Sequence, residues 1–323
     1  MKTAITGSNG FLGSRIVHKL QSNDYEIMAL IRKNANRELL HPNTNIVEIN
    51  YNNVFEIEKT LNGQDVLIHS AALTRAKRWT DFQEINIKFT ERLIEIFNRT
   101  KSLKQFIFIS SQAAAGPSVN SKPKIESDLN NPVSYYGKSK LLAEQLIKKK
   151  IKKPYTILRP SSIYGQGDRD FLNYFKMINK GITVLPGKQK KFINLISADE
   201  VSEYVMHTIN NKSAFNQTFF LTDGNIYSLD QFIKILKEVM HQKTKDFKIP
   251  DKLLSPIAKT IELSTLFSKK PAILNQQKVN EIKYNFWLSE NLKAVKLLNY
   301  SPQNGLKNNL ITTYNWYKKK GWL

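Results

Sequence analysis

The chain has 323 residues, 41% hydrophobic and 24% charged, with a formal net charge of +22. That balance fits a soluble globular protein and excludes a disordered one, and the absence of cysteine excludes disulfides, thiolate catalysis and cysteine-held metals. The five histidines form no i,i+4 pair, so no metal site is expected, and the surplus lysines lie scattered among asparagine and isoleucine, which reads as compositional bias; no specific nucleic-acid partner is expected.

From the start, short β-rich runs alternate with longer helical periodicity, the pattern of βαβ units and a parallel sheet. Strands are predicted at Lys2–Thr6, Glu26–Ile31, Asn45–Ile49, Asp65–Ser70, Gln105–Ser110 and Tyr155–Arg159, with helices such as Phe11–Gln21 and Phe82–Thr100 between them. The fold class expected is α/β: a Rossmann-type, doubly wound parallel sheet over residues 1–165, to which later segments return, and a smaller, mainly substrate-binding α/β domain over 166–323. In that second half, Ser228–Met240 reads as a helix with a serine cap, and Asp251–Leu274 as an amphipathic helix, a lid, or a patch resting on a membrane. Trp287, Trp316, Tyr317 and Trp322 read as core rather than pocket. No segment approaches the roughly twenty apolar residues of a membrane span, and the first residues form a strand rather than a signal peptide, so a cytoplasmic protein is expected.

"TGSNGFLG" puts Gly7, Gly10 and Gly13 directly between the first strand and the first helix. A tight turn, a backbone open to close approach and a helix N-terminus rich in free N–H groups are what a pyrophosphate needs. The glycines, with Asn9, Phe11 and Leu12 among them, are therefore candidate cofactor contacts. The second strand ends on Arg32, with Lys33 beside it; a guanidinium there suits the 2′-phosphate of NADP, where a carboxylate would suit the ribose of NAD. NADP is the expected cofactor, with NAD as the alternative.

Two strands end in small residues, "HSAALT" and "ISSQAAAG", leaving room for a flat ligand at their carboxyl ends. Downstream, in "VSYYGKSKLLAEQLI", Tyr136 and Lys140 stand one helical turn apart, while Tyr135 has no lysine four residues on. An ammonium near a phenol lowers its pKa and fits it for proton exchange with a substrate oxygen, which a strand-end serine would hold.

Together, "TGSNGFLG", "DVLIHSAALT", "FIFISSQAAAGPS", "YYGKSK" and "LRPSSIYGQGD" make the chain resemble, nearly end to end, the extended short-chain dehydrogenases/reductases of the NAD-dependent epimerase/dehydratase superfamily. The resemblance implies Tyr136 as acid/base, Lys140 as its electrostatic partner and ribose clamp, and Ser111 as the catalytic serine, with Ser110 the fallback. Ala71 and Ala72 would line the cofactor, and the Pro160–Ile163 backbone, Ser162 included, would meet the nicotinamide carboxamide. Asn50 stands where many members carry an aspartate facing the adenine. A homodimer acting on a small-molecule substrate is implied as well.

Dehydratases of this group carry an Asp-Glu pair where this chain has Gln112 and Ala113, which sets dehydration aside. Ser161 and Ser162 occupy the place of an epimerase asparagine, and Ile193 that of a diphosphate-binding arginine, with Lys190 and Lys191 nearby. The expected activity is hydride transfer between nicotinamide and a ketone or secondary alcohol, as NADPH-dependent reduction of a fairly apolar substrate. "AAAGPS", "YYGKSKLLAE" and "NWYKKKGWL" look most like the branch near 3β-hydroxysteroid dehydrogenases and dihydroflavonol-type reductases. The alternatives are a nucleotide-sugar epimerase with tightly bound NAD, and a catalytically silent cofactor-binding protein using its basic surface on RNA or lipid.

Overall fold

Apolar β-branched runs covered on both faces pair in parallel, and the computed structural model, which describes residues 1–187, 189–264, 272 and 274–323, shows them doing so. The strands β1 (Lys2–Thr6), β2 (Glu26–Arg32), β3 (Asn45–Ile49), β4 (Val66–His69), β5 (Gln105–Ile109) and β6 (Tyr155–Pro160) share one sheet. They alternate with α1 (Phe11–Gln21), α2 (Val54–Leu61), α3 (Trp79–Phe82), α4 (Phe89–Arg99), α5 (Gln112–Ala115) and α6 (Tyr135–Lys150). A six-residue π-helical stretch, Gln83–Lys88, joins α3 to α4. After β7 (Ser162–Tyr164), α7 (Leu172–Asn179), β8 (Ile182–Pro186), β9 (Phe192–Ile193), β10 (Leu195–Ser197) and α8 (Ala198–Thr208), the chain returns through β11 (Gln217–Leu221) to complete the sheet beside β6.

The sheet order is β3-β2-β1-β4-β5-β6-β11, parallel throughout, so the winding direction reverses between β1 and β4. Side chains alternate across the pleat: Ile5 joins a core with Ile16, Val17, Leu20 and Val201 of α1 and α8, while Ala4 joins one with Ile57, Phe89, Leu93 and Ile147 of α2, α4 and α6. Each large aliphatic side chain so buried contributes about 1.5–3 kcal/mol. Just beyond α6, Lys153 serves this packing by donating to the carbonyls of Phe97, in the last turn of α4, and of Thr100 and Leu103 after it.

The remaining elements are β12 (Tyr227–Ser228), α9 (Leu229–Met240), β13 (Lys245–Ile249), α10 (Asp251–Ser264), α11 (Gln276–Ile282), β14 (Phe286–Trp287), α12 (Leu292–Leu298) and α13 (Leu306–Lys319). α12 packs back on the sheet through Ala294 and Leu298. A separate core joins Tyr164, Phe175, Phe232, Leu236, Leu310 and Tyr317, with Trp316 and Trp322 against it. Ser228 caps α9 through a reciprocal box with Gln231. The segment read as helix, lid or membrane patch is helical over α10, which packs on α11 through Leu254, Ala258 and Val279; residues 265–271 and 273 of it lie outside the described residues. Among the described residues no helix is long and apolar enough to cross a membrane, and no cluster of side chains could hold a metal ion.

Candidate active site

The carboxyl ends of β1 and β4 meet at the switch point, where an open sheet of this kind leaves a crevice. Gly7 lies at φ +70° with β4's continuation against it: an added Cβ would come within 2.6 Å of the Ala71 backbone. An added Cβ on Gly13 would lie 2.1 Å from the Gly7 carbonyl oxygen. The turn is closed by the Gly10 N–H donating to that same oxygen at 3.0 Å. Gly10 begins α1 without a side-chain cap, and no acidic residue stands in the first turn. The N–H groups of Phe11, Leu12 and Gly13 thus carry the positive end of the helix with no side chain against them. A backbone cradle a Cβ would fill, at an uncapped helix start, fits a dinucleotide pyrophosphate. The buried Ser161 hydroxyl and Gln112 amide nitrogen, which find no partner within the protein, add to that fit at the far strand ends.

The flanking residues divide. Asn9 donates to the Asn36 carbonyl at 2.8 Å and so braces the loop after β2 rather than the turn itself. Arg32 closes β2 with an exposed side chain. Asn50 is exposed, and its side chain accepts the Asn52 N–H at 3.0 Å, shaping the turn into α2. Next to it is a residue the sequence reading missed. Tyr51 stacks on Phe89 at 4.0 Å, and burial pushes its phenol up while the Arg32 charge and the Gly7 backbone pull it back. Its hydroxyl therefore lies where the glycine turn and Arg32 meet. An aromatic directly after Asn50 was the available signal.

At the end of β5 the two serines take different environments. Ser110 is buried and donates to Glu144 at 2.5 Å, inside a fully buried pair of Glu144 with Arg159. Ser111 is half-buried, caps α5 by accepting the Ala113 N–H at 3.1 Å, and also reaches the Tyr136 phenol. Ser111, Tyr136 and the strand end therefore converge. Gly137 makes this approach feasible, since a Cβ there would sit 2.3 Å from the Ala113 carbonyl oxygen.

Lys140 turns inward. Its ammonium donates to the Ile109 carbonyl at 2.6 Å and lies 4.0 Å from the centre of the Phe108 ring. Burial brings it down to about 7, and Glu144 opposes that fall. Burial moves Tyr136 the other way, up to about 12; the Ser111 hydrogen bond lowers it, and the nearby Glu281 charge raises it further. The sequence reading expected a phenol lowered by Lys140; in this environment desolvation of the phenolate is the larger effect.

Asn86, on the π-helical turn, was also missed. Its amide accepts the Leu73 N–H and donates to the Leu73 carbonyl and to Ser139, which in turn donates to the Tyr136 carbonyl. It ties the segment after Ala71 and Ala72 to the helix that carries Tyr136. A π-turn has no strong sequence signature, because it arises from one extra residue in an otherwise helical pattern. Past β6, Pro160 ends the strand, Ser162 is exposed and Ile163 half-buried where β7 pairs with β10.

On the open side of Tyr136, α11 is fastened to the first turn of α6 by Gln277 accepting the Tyr135 N–H at 2.8 Å. Its Lys278–Glu281 pair, 2.9 Å apart, is electrostatically coupled to Tyr174 and Arg75 as well. Arg75 also pairs with Asp170, and the neighbouring Asp168 is pushed up to about 7 by burial.

With this geometry in place, the sequence pattern of the NAD dependent epimerase/dehydratase family matches residues 3–219. A UDP-glucose 4-epimerase of Vibrio cholerae is 28% identical over 262 residues, 76% of this chain and 78% of the relative. A ceramide reductase of Caulobacter vibrioides is 22% identical over 334 residues, 99% of this chain and 95% of the relative. Among solved structures, UDP-glucuronic acid 4-epimerase of Bacillus cereus, in complex with UDP-glucuronic acid and NAD, superposes with a TM-score of 0.78 at 20% identity, covering 99% of this chain and 100% of that one. That likeness establishes the shared fold.

Proposed function

The chain belongs to the NAD dependent epimerase/dehydratase family as an extended short-chain dehydrogenase/reductase, and from that premise we propose that it is an NADPH-dependent reductase acting on a ketone with an apolar body. The family's members are NAD-dependent enzymes. In this reading residues 1–165 hold the dinucleotide and 166–323 mainly the substrate, as assigned from sequence. The Gly7–Gly13 turn and the α1 N-terminus hold the pyrophosphate, and the exposed Arg32 takes the 2′-phosphate.

When bound, the dinucleotide supplies hydride at its nicotinamide ring. Ser111 holds the substrate carbonyl oxygen by donating its hydroxyl hydrogen. Tyr136 gives that oxygen a proton as the carbonyl carbon is reduced, and Lys140 stabilises the phenolate that remains. The observation that supports this reading is the convergence of Ser111 and Tyr136 at the end of β5, where Lys140 meets the Ile109 carbonyl; the Tyr136 phenol, raised by burial, holds its proton at neutral pH and can donate it. Gln112 and Ala113 beside Ser111 bring no acid/base pair for an elimination. Likeness to a ceramide reductase over 99% of the chain adds support for an apolar ketone substrate.

A second reading, an epimerase retaining NAD, is favoured by the likeness to the UDP-glucose 4-epimerase. Denaturing the purified protein and identifying the released dinucleotide separates the two. Protein that releases none and then binds NADPH more tightly than NADH supports the reductase. NAD retained near one per chain overturns it in favour of the epimerase.

A further inference from the structure

Beneath the Ser111–Tyr136–Lys140 group lies a charge cluster with no part in the chemistry just described. Arg159 on β6 donates to Glu144 on α6 through two nitrogens, at 2.9 and 2.6 Å, and both side chains are only 1% exposed. Glu144 Oε1 also accepts the Ser110 hydroxyl. Lys140 lies one helical turn before Glu144, so a single carboxylate answers two buried cations. We propose that Glu144 and Arg159 are positioning residues: Glu144 sets the charge of Lys140, whose place is held by the Ile109 carbonyl, and, through Ser110, fixes the strand end that carries Ser111, while Arg159 sets how much of that carboxylate Lys140 can use.

The argument is one of compensation. A buried ion is tolerated only when paired, and a guanidinium cannot shed its proton while an ammonium can. Lys140 is therefore the member that yields when the pairing changes. Around it stand the Ile109 carbonyl and Phe108 ring of β5, Tyr136 and Glu144 of α6, and His69 of β4. Burial holds His69 well below its ordinary value and raises Tyr136, so both are neutral near pH 7. The exposed Lys148, also near Glu144 and Arg159, the buried Lys124 near Arg159, and Lys293 near Lys148 are further cations around the pair. Glu144 is thus the anion on which the charge of Lys140 depends.

The test is an NMR titration of full-length protein carrying lysine labelled at Cε, the Lys140 signal being assigned by its loss in Lys140→Arg. Glu144→Gln should lower the midpoint of Lys140 by at least about one pH unit. Arg159→Met should raise it, by leaving the carboxylate to Lys140 alone, and Glu144→Gln/Arg159→Met should fall between the two. The double variant keeps the site free of an unpaired carboxylate or guanidinium, an exchange that is often neutral for folding. If Glu144→Gln does not fold, Arg159→Met and the double variant decide. A midpoint unchanged in every folded variant, or single variants moving it the same way as mere loosening would, overturns the proposal. Its consequence for turnover rests on the reading of Lys140 given above, whereas the titration needs neither substrate nor cofactor. Failure of that reading would show as absent turnover in the unaltered protein with the opposed shifts still present.

Discussion

The switch-point half of the site and the α10–α11 side of it are built by different means. At the switch point the fit comes from backbone: Gly7 and Gly13 lie against neighbouring main chain that any Cβ would strike. On the other side, α10 and α11 hold together through a small cluster of Leu254, Ala258 and Val279, and present Glu281, paired with Lys278, towards Tyr136 by side-chain reach. The first is fixed by the sheet and tolerates almost no change. The second is joined to the body of the protein through side chains, among them Gln277 on the first turn of α6, and its cluster is separate from the cores of the sheet.

The sharpest test of the comparison lies where the two halves meet. Tyr136→Phe removes the only proton this reading gives to the substrate oxygen, and turnover should fall by about 10²–10⁴-fold. Since the phenol hydroxyl is no part of the glycine cradle, NADPH affinity measured by fluorescence titration should stay within a few-fold. Unaltered turnover would sink the mechanism.

Next in size is Gly13→Ala. The new methyl would meet the Gly7 carbonyl oxygen at 2.1 Å, so either the turn or the start of α1 has to move. Moving the start of α1 re-aims the N–H groups of Phe11 and Leu12, and dinucleotide affinity should fall by at least about tenfold, roughly 1.4 kcal/mol. Retained affinity would mean that the backbone cradle is not what binds the pyrophosphate. At the edge of the same half, Arg32→Asp replaces a partner for a 2′-phosphate by one for a 2′-hydroxyl. The NADPH:NADH affinity ratio should fall by about tenfold or more. No change would assign the ribose to another residue, with Tyr51 the nearest candidate.

The same contrast explains what the sequence made legible. β1, α1 and β3 lie where periodicity and glycine spacing put them, and the switch-point turn was readable because only glycine satisfies its geometry. The one-turn spacing of Tyr136 and Lys140 was readable too, and one helix, α6, carries both. The separation of Ser110 from Ser111 was not legible, because it depends on Glu144, 34 residues away, accepting one hydroxyl and leaving the other. The same holds for Arg159 and Asn86, whose partners come together only once the sheet has formed. Local pattern reports backbone demands well and the long-range choice of hydrogen-bond partners poorly.

The smallest expected effect falls on the α10–α11 side and bears on the comparison most directly. Leu254 is 3% exposed, so truncating it to alanine removes buried methyl groups, a loss that in a main core costs about 2–5 kcal/mol. Here its cluster is separate from the two cores of the sheet, so α10 can loosen without the sheet opening. Leu254→Ala should therefore leave the thermal midpoint within a few degrees of the parent and raise KM for the ketone a few-fold at nearly constant kcat. Leu67→Ala, in the centre of β4, is the control and should lower the midpoint outright. If Leu254→Ala destabilises the protein as much as Leu67→Ala does, α10 and α11 are part of the same cooperative unit as the sheet. The freedom assigned here to the substrate side would then have to come from somewhere other than weak packing.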